Sequence, residues 1–230
     1  MNAEPGKDPV AAVIRGDAVL ELLGLLAYAE LTACLRTAVE ADRAPDTGVQ
    51  VALARMAVVE FGHYEQLAAQ LVEMGQDPES SMRPFVAAID AFHDRTTPRD
   101  WLEGLVKAFV GDGIARDFYR EVATRLDGPA RTLVEQVLAD EGQDDFAVRT
   151  VRAAIEADPS VAGRLALWAR RLVGEAIAQS QYVAVERDAL ASLIVGGQTG
   201  GGWDLAELGR MLTRLTEAHA RRMQRLGLTG

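Results

Sequence analysis

The sequence predicts an all-α fold: an antiparallel bundle of four long helices, with additional C-terminal helices. Three observations lead there. Alanine, leucine, valine, glutamate and arginine dominate the 230 residues while aromatics make up only 6%, which favours helix over sheet. Apolar residues recur at alternating three- and four-residue steps through long segments, and no segment alternates strictly with β-branched enrichment, so no sheet is expected. The segments are parted by short breakers, and short connections between long helices make antiparallel neighbours.

In chain order, residues 1–10 read as a flexible tail and 11–195 as the bundle. A first helix over 11–43 is stopped by "RAPDTG", and a second over 47–75 by "MGQDPESS", where Gly75 and Pro78 break it. The stretch "RPFVAAIDAFH" bridges to "TTPRDW", in which Thr97 is expected as the N-cap, Pro98 as the first helical residue and Asp100 as a first-turn acid. That third helix reaches about 126 and ends at "LDGP". A fourth covers 129–157, and a fifth, 160–194, follows "ADPS". The five glycines of "GGQTGGG" make 196–202 a linker; it lacks the Lys-Ser/Thr ending of a phosphate-binding loop. Residues 203–230 are expected as a C-terminal helix packing on the bundle or on a partner subunit. The first four helices form two hairpins of similar size.

Composition narrows the function classes. A net charge of −10 works against attraction to phosphate backbones, and the basic run "ARRMQR" reads as a solvated helix face complementing a helix C-terminus, with nucleic-acid contact as the alternative. Cys34 is the only cysteine, which excludes an intrachain disulfide and a thiolate metal cluster. The start "MNAEPGKDP" has no basic start and apolar run, so a signal peptide is not expected. No stretch of about 18 residues is free of charges, so no membrane span is expected. A cytoplasmic setting fits these features.

The informative residues interrupt the apolar stripes. The first stripe runs Leu20, Leu23, Ala27, Glu30, Cys34, Thr37, and the second Leu53, Met56, Glu60, His63, Leu67. The third runs Trp101, Leu105, Ala108, Asp112, Ala115, Tyr119, Val122, Leu126, and the fourth Val134, Val137, Glu141, Asp144, Val148, Val151, Ile155. Every stripe carries acid near mid-helix. Buried ionised carboxylates cost several kcal/mol each unless protonated, paired or bound to metal. Arg116, one turn after Asp112, is placed to neutralise one of them. Carboxylate oxygens with an imidazole nitrogen suit iron, manganese or zinc.

Spacing supports a shared site. Residues three apart lie on one helix face, so Glu60 and His63 aim at a common point. Glu30 precedes Glu60 by 30 residues and Asp112 precedes Glu141 by 29, so each hairpin sets an acid level with a pair. On the fourth helix the alternative pair is Asp140 with Gln143; the valine stripe favours Glu141 with Asp144.

Glu30, Glu60-x-x-His63, Asp112 and Glu141-x-x-Asp144 resemble the ligand set of the ferritin-like di-iron carboxylate superfamily, which takes a glutamate from each of two helices and a Glu-x-x-His pair from each of the other two. The stretches "FVGDGIARDFYREVA" and "VLADEGQDDFAV" further resemble bacterial proteins similar to the tRNA 2-methylthio-N6-isopentenyladenosine hydroxylases. The resemblance covers about residues 11–157. It implies a ferritin-like four-helix bundle with a central two-metal site and, in active members, oxygen activation by iron. Its implied substrate is a small molecule or a modified nucleoside, with tRNA as the partner, although the net charge lends tRNA no support.

Two departures bear on the chemistry. Asp112 stands where glutamate is usual, and Asp144 where the second histidine is expected. The site is therefore more anionic and oxygen-rich, which favours hard ions: two irons, manganese, or a single metal with a weakly held second. The expected function is a di-iron or mixed-metal oxidase or hydroxylase, and the alternative a non-catalytic scaffold with a degenerate site. A homodimer is expected on general grounds. His93 and His219 read as surface or partly buried residues, Glu175 and Gln179 as a polar patch or subunit contact, and Tyr119 as a core residue or pocket wall.

Overall fold

The computed structural model describes residues 9–126, 128–138, 144–195 and 205–228, and every regular element among them is helical. Helices α1 (Pro9–Asp42) and α2 (Thr47–Glu73) form the first hairpin. Asp46 ends the connection by accepting the Val49 amide at 2.9 Å, which caps α2. At the far end Gly75 takes the left-handed conformation (φ +76°) that closes the helix. Asp77 then caps the short α3 (Pro78–Met82), and a 3₁₀ turn, Arg83–Phe85, leads into α4 (Val86–Arg95).

The third long rod is composite. It joins α5 (Trp101–Lys107), a π-helical turn over Ala108–Asp112, and α6 (Gly113–Ala123). A π turn inserts an extra residue, rotates the side chains that follow, and is frequent at functional sites; here it ends on Asp112. The fourth rod consists of α7 (Gly128–Val137) and α8 (Asp144–Ala157). Then come α9 (Ser160–Glu186), α10 (Asp188–Val195) and α11 (Leu205–Leu226).

Several local expectations are corrected. α1 begins at Pro9, inside the span expected as tail. The cap of the third rod is Asp100, whose side chain accepts the Glu103 amide at 2.9 Å; the Thr97 hydroxyl instead reaches back to the Asp94 carbonyl at 3.1 Å, finishing α4. The fifth helix is two, because Arg187 leaves helical geometry (φ −133°, ψ 82°). There α10 turns onto α1, its Leu190 amide donating to Glu21 at 3.0 Å. The "GGQTGGG" linker lies outside the described residues.

Two apolar clusters fill the bundle. One gathers Leu22, Leu23, Leu26, Leu67, Tyr119, Val122, Val134 and Val137, and the other Leu53, Met56, Leu105, Val106, Val151, Leu165 and Leu172. On each of the four rods the passage from one cluster to the other spans the stretch where the sequence places its acids. α1 is long and apolar enough, by length and composition, to cross a bilayer; here its leucines at 22, 23 and 26 are fully buried in the first cluster.

The later helices wrap this frame. α9 is fastened to α5 by Trp168, whose indole donates to the Glu103 carbonyl at 2.9 Å, and by Arg164, 2.7 Å from the Glu103 carboxylate. α11 lies along α6, where Arg214 makes two 2.7 Å bonds to Glu121 and Arg222 bonds the Gly113 carbonyl and Asp117. Arg152 of α8 donates to the Arg225 carbonyl at 2.7 Å, capping the end of α11.

Candidate metal centre

Between the two clusters, α1 and α2 bring Glu30, Glu60 and His63 together. Their exposures are 9%, 6% and 7%, so all three are withdrawn from water. The i, i+3 spacing on α2 turns Glu60 and His63 to one side, as the sequence requires, and the tight packing of α1 on α2 delivers Glu30 opposite. His63 Nδ1 stands 3.2 Å from Glu30 Oε2 and 3.9 Å from Glu60 Oε2. One ligating atom from each residue falls within 4.8 Å of the others, close enough for a single ion to bridge them.

The electrostatics show an imbalance. Burial first, and then the hydrogen bond and negative charge of Glu30, drive the Glu60 carboxyl up to about 9, with Arg116 and His63 only partly opposing them. Arg116 reaches across from α6 but stops 3.9 Å from Glu60 Oε1. Cys34, one turn beyond Glu30, has its thiol raised by burial and then by the Glu60 charge. Among the described residues one guanidinium lies within 4 Å of this cluster, and the raised Glu60 carboxyl is a place where a cation would serve. Two carboxylates and an imidazole are a fitting donor set for iron or manganese.

Three of the six residues expected as ligands are thus assembled. Asp112 ends the π turn of the third rod and Asp144 opens α8, but neither side chain lies within the description. Glu141, and with it the choice between Glu141/Asp144 and Asp140/Gln143, falls outside the described residues. Of the other histidines, His219 sits on α11 beside Arg222, while His93 faces a cavity.

That cavity is the feature the sequence reading missed. It has a volume of about 300 Å³ and runs beside α1 from Leu25 to Arg43, against α4, the third rod and α9. Its origin is legible afterwards: Ala29 and Ala33 flank Glu30, and Ala108, Gly111 and Ala115 lie on either side of Asp112. Small side chains on facing rods leave space between them. Tyr119 has both of the roles considered for it, being 6% exposed in the core and part of the cavity wall. Gln179 also faces the cavity, whereas Glu175 pairs with Arg95 at 3.6 Å.

Comparison with known proteins agrees with this architecture. Among solved structures the chain is similar to a protein with aldehyde deformylating oxidase activity from Synechococcus, with a TM-score of 0.70 and 19% identity, over 94% of this chain and 92% of that one. No curated protein matches the sequence. Residues 15–197 match a family described as a ferritin-like domain of actinomycetes. The chain belongs to that ferritin-like family.

Proposed function

We propose that this protein is a metal-dependent oxidase or hydroxylase that uses oxygen on a slender, largely apolar small molecule held in the cavity beside α1. The observation that carries the reading is the buried Glu30–Glu60–His63 cluster, with its raised Glu60 carboxyl, set between two apolar clusters. The oxidase activity of the Synechococcus protein supports it at the level of reaction class. The apolar walls of the cavity and the net charge of −10 favour a small molecule over a tRNA-borne nucleoside.

Glu30, Glu60 and His63 would hold the metal, with Asp112, Glu141 and Asp144 as the expected remaining ligands. A metal held there would supply oxygen activation for attack on a C–H bond. Hydroxylation then balances as one C–H and one O₂, with two electrons and two protons from an external reductant, giving one C–OH and one water. The chain's own part is to release the Glu60 proton when the cation arrives. Arg116 offsets part of the charge of the cluster, and the cavity walls exclude water from the substrate.

Anaerobic loading with iron(II), followed by metal analysis and an oxygen-electrode trace, tests this. Iron-loaded protein is expected to consume oxygen, and His63→Ala to lose both iron and oxygen uptake. Folded protein that takes up no iron contradicts the proposal. Tight iron binding with no oxygen consumption favours the scaffold alternative.

A further inference from the structure

Among the described residues, two polar atoms of the cavity wall have no hydrogen-bond partner. Glu40 Oε2 and His93 Nδ1 are buried without a hydrogen-bond partner, although both residues line the same apolar space. Such orphans are uncommon and each costs free energy unless a ligand or water completes it. The Glu40 carboxylate is pressed against Gly104 of α5, where even a Cβ would collide with it. Its other oxygen faces Arg43 at 3.4 Å. His93, on α4, is uncharged at neutral pH, because burial and then Lys107 and Arg36 hold it down to about 3. Lys107 lines the cavity as well, but its amine already donates to the Thr96 carbonyl at 2.8 Å.

The shape of the space sets what fits. An ammonium head would meet Lys107, Arg36 and Arg43, and a carboxylate head, though drawn to those cations, has no proton to give Glu40 Oε2. A hydroxyl both donates and accepts, so it satisfies a carboxylate oxygen and a neutral imidazole nitrogen together. Glu40 and Glu30 stand ten residues apart on α1, about 15 Å along the axis. We propose that the cavity takes an aliphatic alcohol, its hydroxyl held by Glu40 and His93 and its hydrocarbon lying past Ala33 and Ala29 beside the Glu30–Glu60–His63 cluster. The polar end is then remote from the metal and the chain, not the head, is presented to it. This rests on the reading of the cavity as the substrate site.

Calorimetric titration of the 230-residue chain with decan-1-ol, decanoic acid and decylamine tests the assignment without metal, oxygen or turnover, so it can fail independently of the oxidase reading. The alcohol is expected to bind tightest. His93→Leu and Glu40→Leu should each weaken it about five- to tenfold, one hydrogen bond's worth. Glu40→Gln, which keeps an acceptor oxygen, should bind the alcohol nearly as well as the parent. Melting curves of the variants confirm folding. Tighter binding of the acid or amine, unchanged alcohol affinity in both leucine variants, or no binding of the alcohol by folded protein overturns the proposal.

Discussion

Glu60 and Glu103 are both buried glutamates on rods of the same bundle, and their surroundings treat them in opposite ways. Glu103 is fully buried, yet Arg99 and Arg164 stand 2.9 and 2.7 Å from its carboxylate and the Arg99 amide donates at 2.9 Å. Burial raises its carboxyl, but these donors outweigh the burial and hold it below the usual range. Glu60 has Arg116 and His63 each at 3.9 Å and the acid Glu30 bonded beside it, and its carboxyl is driven up to about 9. A buried acid whose neighbours complete it is a structural fastening. A buried acid set against a second acid, with its cations at arm's length, is a place where a metal ion would relieve the repulsion.

Replacing each acid should therefore move stability in opposite directions. Glu103→Ala removes the anion that joins α5 to α9 and is expected to cost about 3 kcal/mol in urea denaturation, with metal affinity unchanged. A loss below about 1 kcal/mol would mean that the arginines simply rehydrate. Glu60→Gln should stabilise the metal-free protein by about 1–2 kcal/mol, raising its melting temperature by a few degrees. Destabilisation there would show that the Glu60 carboxylate is already well paired.

pH sharpens the same contrast. A carboxyl raised in the folded state adds stability below its unfolded pKa of 4.5, and that stability is lost as pH climbs towards about 9. The stability advantage of Glu60→Gln over the metal-free parent should thus grow from pH 5 to pH 9. A flat difference across that range would contradict the raised carboxyl. The smallest expected effect is at Trp168→Phe, which removes the indole bond to the Glu103 carbonyl and should cost about 1 kcal/mol.

The contrast also shows what a sequence reveals. Stripe periodicity placed the four rods and marked Glu30, Glu60 and His63, because buried acid in an apolar stripe is a local signal. Glu103 carries no such signal: it lies off the stripe through Trp101, Leu105 and Ala108, and only the arrival of α9 with Arg164 and Trp168 buries it. The sequence Asp100-x-x-Glu103 did hold a helix-start pattern, acid cap and glutamate three residues on, which Thr97-Pro98 obscured. The π turn before Asp112 is a departure from the regular period that strict three- and four-residue steps cannot anticipate. The cavity depends on several rods meeting at small residues, so it belongs to the tertiary packing and not to any one helix. Likewise, the break at Arg187 is set by the docking of α10 on Glu21 of α1.

The most direct test of the centre is calorimetric titration of the metal-free protein with manganese(II) at neutral pH, in buffers of different ionisation enthalpy. If Glu30, Glu60 and His63 await a cation, the parent binds the metal and releases about one proton as Glu60 ionises, its melting temperature rises, and Glu60→Gln loses all three effects. Folded parent protein that binds no divalent metal, or a Glu60→Gln variant that binds it equally well, would contradict a metal centre at this site.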